Sequence, residues 1–156
     1  MEHKDMENKK ELVVSAIENG TVIDHIPAEV VYKVVRILEL SLHNDEVLIG
    51  TNLESKKLGK KGIIKIKNKY FRQSEIDKIA IAAPMATLIE IKNYQKVVKR
   101  QVEIPDVLYS TVKCINPNCI TNIEDIPSKL SVVEKNPLKV RCHYCEKTQE
   151  PMLDVK

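Results

Sequence analysis

Apolar and polar positions change period several times along the first two-thirds of the chain. Glu11 to Ile17 is an apolar run of strand length, and Asn19-Gly20 after it is a turn signal. Thr21 to Ile26 is a second extended piece, ended by Pro27. Val31, Val34, Val35, Leu38 and Leu42 then recur at helical spacing, which predicts a helix over Ala28 to Leu42 with proline tolerated at its start. Glu46 to Thr51 and Gly62 to Lys67 are predicted as paired strands around a lysine-rich connection, with Ile64 and Ile66 on one side and Lys65 and Lys67 on the other. Ser74, with Asp77 as capping-box partner, starts a second helix carrying Ile76, Ile79, Ala80 and Ala83 on one stripe and stopping at Pro84. Thr87 to Lys92 and Gln95 to Glu103 follow as strands joined at Asn93-Tyr94. The order strand, helix, strand, strand, helix, strand is the split βαβ of a ferredoxin-like domain, an antiparallel sheet with two helices, with extra strand at its end.

Ile104-Pro105-Asp106 is the expected boundary, because proline interrupts strand pairing. It divides residues 1–105 from a second domain, 106–156. All four cysteines lie in the second part: Cys114 and Cys119 with four residues between, Cys142 and Cys145 with two. Each pair presents two sulfurs from one tight turn, and two such turns make the tetrahedral cage that zinc favours. With no open coordination position, that zinc would be structural. An even cysteine count also suits disulfides, and Cys142 to Cys145 also has redox spacing. The charged Met1 to Glu11 lacks the apolar core of a signal peptide, and a redox pair leaves Cys114 and Cys119 unexplained. The expected fold class is α+β, with a small all-β, zinc-ribbon-like C-terminal domain. A segment of that size buries too little surface to be secure alone, so metal binding worth on the order of 10 kcal/mol would decide its folding.

Charge changes the picture only locally. The chain of 156 residues carries a net +3. Met1 to Pro105 holds 18 basic and 15 acidic residues, and Asp106 to Lys156 holds 7 of each, so four thiolates around Zn2+ would leave the second part slightly acidic. One Phe and no Trp provide little for base stacking, which argues against nucleic acid as the partner. A zinc-ribbon nucleic-acid binder and a small nucleotide-processing enzyme stand as the rival readings. No apolar run approaches the ~18 residues of a membrane span, and a cytoplasmic location is expected.

Lys56, Lys57, Lys60, Lys61, Lys65, Lys67 and Lys69 form the densest charge run. Such a run reads as a solvated hairpin or as a polyanion site, and within it Lys65 has its direction fixed by a strand. Asp24-His25 lies where an extended piece meets Pro27, an accessible edge on a rigid scaffold. No glycine-rich phosphate loop, His-Glu-x-x-His or serine elbow is present, so enzymatic chemistry has no visible machinery.

On these residues the chain resembles the regulatory chains of aspartate carbamoyltransferase. The likeness covers nearly everything after Glu11. Its most specific pieces are Gly20-Thr21-Val22-Ile23-Asp24-His25-Ile26-Pro27, Ile64-Lys65-Ile66, Ala83-Pro84-Met85-Ala86-Thr87, Asn93-Tyr94, and the cysteine pairs with Asn116 in the first, Tyr144 in the second and Glu146 after it. The resemblance implies a non-catalytic subunit of pyrimidine biosynthesis that binds CTP or ATP, with UTP a further effector to test. It implies a regulatory homodimer, a zinc domain that grips the separate catalytic chain, and an assembly of two catalytic trimers with three regulatory dimers. It places Val14, Ala16, Ile17 and Tyr94 near the base, Asp24 and Lys65 at the ribose and neighbouring base edge, His25 and Lys99 at the phosphates, and Val22 among the site residues. Ile89 stands where some relatives carry asparagine, and Lys96 and Arg100 alter the local charge. Asn116, Asn118 and Glu146 are implied as contacts to the catalytic chain, although Asn-Pro-Asn is also what a tight loop needs.

Overall fold

A computed structural model describes residues 17–153. The expected strand over Glu11 to Ile17 lies outside the described residues except for Ile17. Eleven strands and three short α-helices are present among the described residues. The first sheet contains β1 (Gly20–Pro27), β2 (Val47–Ser55), β3 (Gly59–Lys67), β4 (Thr87–Lys92) and β5 (Gln95–Gln101). Helix α1 (Val31–Ile37) connects β1 to β2, and α2 (Gln73–Ala82) connects β3 to β4. The strand order is β2-β3-β1-β4-β5, antiparallel throughout. With β1 between β3 and β4, the split βαβ order is met, and β5 is the extra strand at the edge beside β4.

Period-two alternation explains one face of this sheet. Ile23, Ile64, Ile66 and Leu88 are at most 1% exposed. Two glycines allow close approach. A Cβ on Gly20 would stand 2.1 Å from the Ile66 carbonyl oxygen, and its φ of +142° is one that side chains rarely adopt. A Cβ on Gly62 would stand 1.9 Å from Val31 Cγ2. At the β4–β5 hairpin, Asn93 and Tyr94 have φ of 51° and 64°, the two left-handed positions that a two-residue hairpin turn requires.

Several expectations need correction. The single helix over Ala28 to Leu42 is broken into a 3-10 turn (Ala28–Val30), α1, and a second 3-10 turn (Leu40–Leu42). Glu39 takes a left-handed φ of 52°, ending the helix, and Leu42 is 73% exposed and outside the apolar stripe. Helix α2 is capped two residues earlier than expected: its N-cap is Arg72, whose backbone N–H donates to Glu75 Oε1. Asp77 is buried within the helix and accepts from Gln73 Nε2 at 2.9 Å. The lysine-rich connection is shorter than expected, because β2 runs on to Ser55 and β3 begins at Gly59, taking in Lys60 and Lys61. Strand β5 ends at Gln101 rather than Glu103.

The remaining strands are β6 (Val107–Tyr109), β7 (Val112–Lys113), β8 (Lys129–Lys135), β9 (Leu138–Cys142), β10 (Thr148–Gln149) and β11 (Met152–Leu153), with one helical turn, α3 (Ile120–Ile123). They form a four-stranded sheet ordered β10-β9-β8-β6 and a two-stranded sheet of β11 and β7. Leu108, Val112, Leu130 and Val140 pack with Cys114, Cys119 and Cys142 into one buried cluster. The chain divides into two compact units, one holding β1 to β5 and the other holding Tyr32–Ser41, Phe71–Pro84 and the chain from Val102 onward. No helix among the described residues is long and apolar enough to cross a membrane.

Candidate functional site

Strand register puts most of the residues singled out in the first sheet on one face. Lys65 on β3 pairs with Val22 on β1, Val22 pairs with Ile89 on β4, and Ile89 pairs with Lys99 on β5. Directly opposed residues share a face, so these four form a row across the sheet, and Asp24 shares that face two positions along β1. Ile17, Val22, Ile89 and Ile91 form a buried apolar cluster, with Ile63 packed against it. Ile89 therefore extends an apolar floor between Lys65 and Lys99, which is exposed on β5. Val14 and Ala16 lie outside the described residues.

Lys65 is the unusual member. Only 2% of it is exposed, and its Nζ has no hydrogen-bond partner among the described residues. Burial lowers its pKa from 10.5 to about 8, and the nearby Asp24 carboxylate opposes that shift. A buried ammonium without an acceptor is costly, and that cost is recovered only if something supplies the acceptor.

Asp24 is engaged differently. Its Oδ1 accepts from Lys61 Nζ at 2.8 Å and from the His25 backbone N–H at 2.6 Å. Burial raises its pKa, but the hydrogen bonds from Lys61 and His25 and their charges outweigh that and leave it lowered. The β1–β3 register shifts between Ile23 and Ile26, and within this bulge His25 adopts a φ of 56°. Its ring Nδ1 lies 3.0 Å from Thr87 Oγ1. The bulge thus turns His25 out of the strand's alternation beside Asp24. Tyr94, 68% exposed, sits at the tip of the β4–β5 hairpin.

The cysteines form the second site. Cys114 follows β7, Cys119 precedes α3, Cys142 ends β9 and Cys145 lies in the next turn. Their four sulfurs lie within 4.8 Å of one another. The shortest approaches cross between the pairs, Cys114 to Cys145 at 3.6 Å and Cys119 to Cys142 at 3.7 Å, well beyond a disulfide's ~2.05 Å. Both turns are held by main-chain bonds: Cys119 N–H donates to Asn116 O at 3.0 Å, and Glu146 N–H donates to Cys142 O at 3.0 Å. Burial pushes the Cys114 thiol up to about 12 and raises Cys142 as well. The Lys147 backbone N–H pulls Cys145 down to about 7. At Cys119 burial is outweighed by the Thr121 hydroxyl and backbone N–H, leaving it lowered. Four thiolates this close repel one another, so full ionisation needs a bound cation, and an all-sulfur tetrahedron fits a soft metal ion.

Sequence reasoning missed the residues that support both sites. Asn122 Nδ2 donates to the carbonyls of Cys114 at 2.8 Å and Asn116 at 2.7 Å, clamping the first cysteine turn. Buried Gln149 accepts from Ile115 N–H at 2.9 Å and donates to Lys113 O at 3.1 Å. Nothing in the spacing of Asn122 or Gln149 separates them from ordinary loop polars. Lys61 was hidden inside the lysine run, and Thr87 had only its place at the start of β4 to mark it. Asn116 Oδ1 accepts from Asn118 N–H at 3.1 Å, so this residue serves the turn itself. Glu146 holds a left-handed φ of 63° and lies 3.7 Å from Arg141.

Comparison with known proteins agrees with this layout. The family model of the aspartate carbamoyltransferase regulatory chain, allosteric domain, matches residues 12–103, and that of the metal binding domain of the same chain matches residues 106–151. The aspartate carbamoyltransferase regulatory chain of Pyrococcus horikoshii is 54% identical over 142 residues, covering 90% of this chain and 93% of the relative. That of Bacteroides thetaiotaomicron is 50% identical over 144 residues, covering 92% and 94%. The Thermococcus sibiricus chain is 50% identical over 147 residues, covering 94% and 97%. With both halves matched in order and about half of all positions shared, the chain belongs to the family of aspartate carbamoyltransferase regulatory chains, the non-catalytic partners in that enzyme.

Proposed function

We propose that this chain is the cytoplasmic nucleotide sensor of an aspartate carbamoyltransferase of pyrimidine biosynthesis. It binds CTP or ATP, with UTP to be tested beside them, on the Lys65 face of the first sheet within residues 1–105. The observation that carries this reading is the row Lys65, Val22, Ile89 and Lys99 with Asp24 beside it, above all the buried Lys65 ammonium, which finds no acceptor among the described residues. A nucleoside triphosphate supplies what the row lacks. Base and ribose oxygens accept from Lys65, the Asp24 carboxylate accepts from ribose hydroxyls, and His25 and Lys99 counter the phosphates. Val14, Ala16, Ile17 and Tyr94 border the base, with Val22 and Ile89 as the apolar floor.

Zinc is the metal that Cys114, Cys119, Cys142 and Cys145 hold in residues 106–156. At a Zn–S distance of about 2.3 Å, a tetrahedron places sulfurs about 3.8 Å apart, close to the shortest separations present. When bound, the ion neutralises thiolate repulsion and locks the two turns. Ile115, Ile120 and Tyr144, which adjoin cysteines in sequence, and Ile123 at the end of α3 are all at least 36% exposed and form with Asn116, Asn118 and Glu146 the surface that docks on the catalytic chain. The edge strand β2, with Leu48 and Ile49 exposed, supports pairing of two regulatory chains. The assembly proposed is the one the resemblance implies, two catalytic trimers with three regulatory dimers, with neither membrane nor nucleic acid as partner.

Nucleotides act by binding one quaternary state more tightly than the other, and reciprocity requires active-site ligands to change nucleotide affinity. The test is co-purification with the catalytic chain, with and without a chelator. The proposal expects metal removal to release the subunits and leave catalysis in the free trimers. A complex that stays assembled without metal refutes the docking role.

A further inference from the structure

The segment that leads into β1 is tied to the hairpin tip that carries Tyr94, and one side chain makes part of that tie. In a two-residue turn of this type the two central N–H groups point away from the hairpin and need acceptors elsewhere. Here Tyr94 N–H donates to Glu18 O at 2.9 Å, and Asn93 N–H donates to Asn19 Oδ1 at 3.2 Å. The Asn19 carbonyl also accepts from Asn68 N–H at 2.9 Å, just beyond the end of β3. Glu18 and Asn19 are anchored on both sides. Ile17 is buried in the apolar cluster with Val22 and Ile89, and Gly20 allows β1 to press against the Ile66 carbonyl where any side chain would clash.

From this geometry we infer that Asn19 is a positioning residue for the nucleotide base. Its side-chain carbonyl fixes the Asn93–Tyr94 turn against the segment ending in Ile17, and so sets the width of the gap between Tyr94 and the apolar floor. The inference rests on the nucleotide reading above and adds to it a residue that touches no ligand. The group that matters is the Oδ1 acceptor, because Asn93 N–H is the donor. Asn19→Asp keeps an acceptor in that place, while Asn19→Ala removes it and leaves the backbone bond to Asn68 intact.

The test is calorimetric titration of the zinc-loaded full chain with CTP for the wild type, Asn19→Ala and Asn19→Asp, together with amide exchange at Asn93 and Asn68. Loss of one such hydrogen bond should weaken CTP binding about fivefold in Asn19→Ala and speed exchange at Asn93 but not at Asn68. Asn19→Asp should restore both to within about twofold of the wild type. Unchanged CTP affinity in Asn19→Ala overturns the inference, as does equal weakening in Asn19→Asp. A wild-type chain that takes up no CTP overturns the nucleotide reading itself, a result distinct from either variant outcome.

Discussion

Replacing Lys65 by methionine should stabilise the fold while weakening nucleotide binding. The side chain is 2% exposed, its ammonium has no partner among the described residues, and its pKa is lowered from 10.5 to about 8, first by burial. A depressed lysine pKa means that the unfolded chain holds the proton more tightly than the folded one. The resulting penalty on the fold is fully present below about pH 8 and is relieved as pH rises from about 8 toward 10.5. A shift of this size corresponds to about 3 kcal/mol at full strength, and to about 2 once screening by nearby water is allowed for. Methionine fills similar volume without charge, so urea unfolding of the zinc-loaded protein at pH 7 should show Lys65→Met more stable by roughly that amount. The gap should narrow between pH 8 and pH 10. In the same variant CTP affinity should fall ten- to a hundredfold, the range for losing a hydrogen bond to a charged donor. A variant less stable than the wild type at pH 7, or a gap independent of pH, refutes the reasoning.

Two further substitutions probe the supports of each site. Asn122→Ala removes both donors that clamp the first cysteine turn and should lower metal affinity ten- to a hundredfold, read by competition with a chromogenic chelator, with little change in CTP binding. Gly62→Ala puts a Cβ 1.9 Å from Val31 Cγ2 and should destabilise the protein by about 1–3 kcal/mol, read by urea unfolding.

What could be read directly from the sequence was whatever has a fixed period or spacing. Alternation along Gly62 to Lys67 and Thr87 to Lys92 placed β3 and β4, and the Asn93-Tyr94 turn placed the hairpin between β4 and β5. The two cysteine pairs carry their geometry in their spacing, and the four sulfurs do come together. What the sequence hid was decided by tertiary context. The apolar stripe from Val31 to Leu42 has helical period throughout, yet a left-handed Glu39 interrupts the helix and leaves Leu42 in solvent. Lys65 alternates with Ile64 and Ile66 as a solvent-facing residue would, but the face it points to is itself covered. The Asp24–Lys61 pair depends on the bulge in β1, which shifts register between Ile23 and Ile26 and has no marker in composition. Asn122 and Gln149 each act through a pair of side-chain hydrogen bonds to the backbone near the cysteines, where spacing carries no information.

The most direct measurement is the aspartate saturation curve of the complex reconstituted from this chain and its catalytic partner, recorded with and without CTP or ATP. The account predicts that each nucleotide that binds displaces the half-saturating aspartate concentration in the wild-type complex, and that in Lys65→Met the same displacement requires about ten- to a hundredfold more nucleotide while the nucleotide-free curve stays in place. Superimposable curves with and without nucleotide in the wild-type complex, at concentrations where binding is saturated, would contradict it.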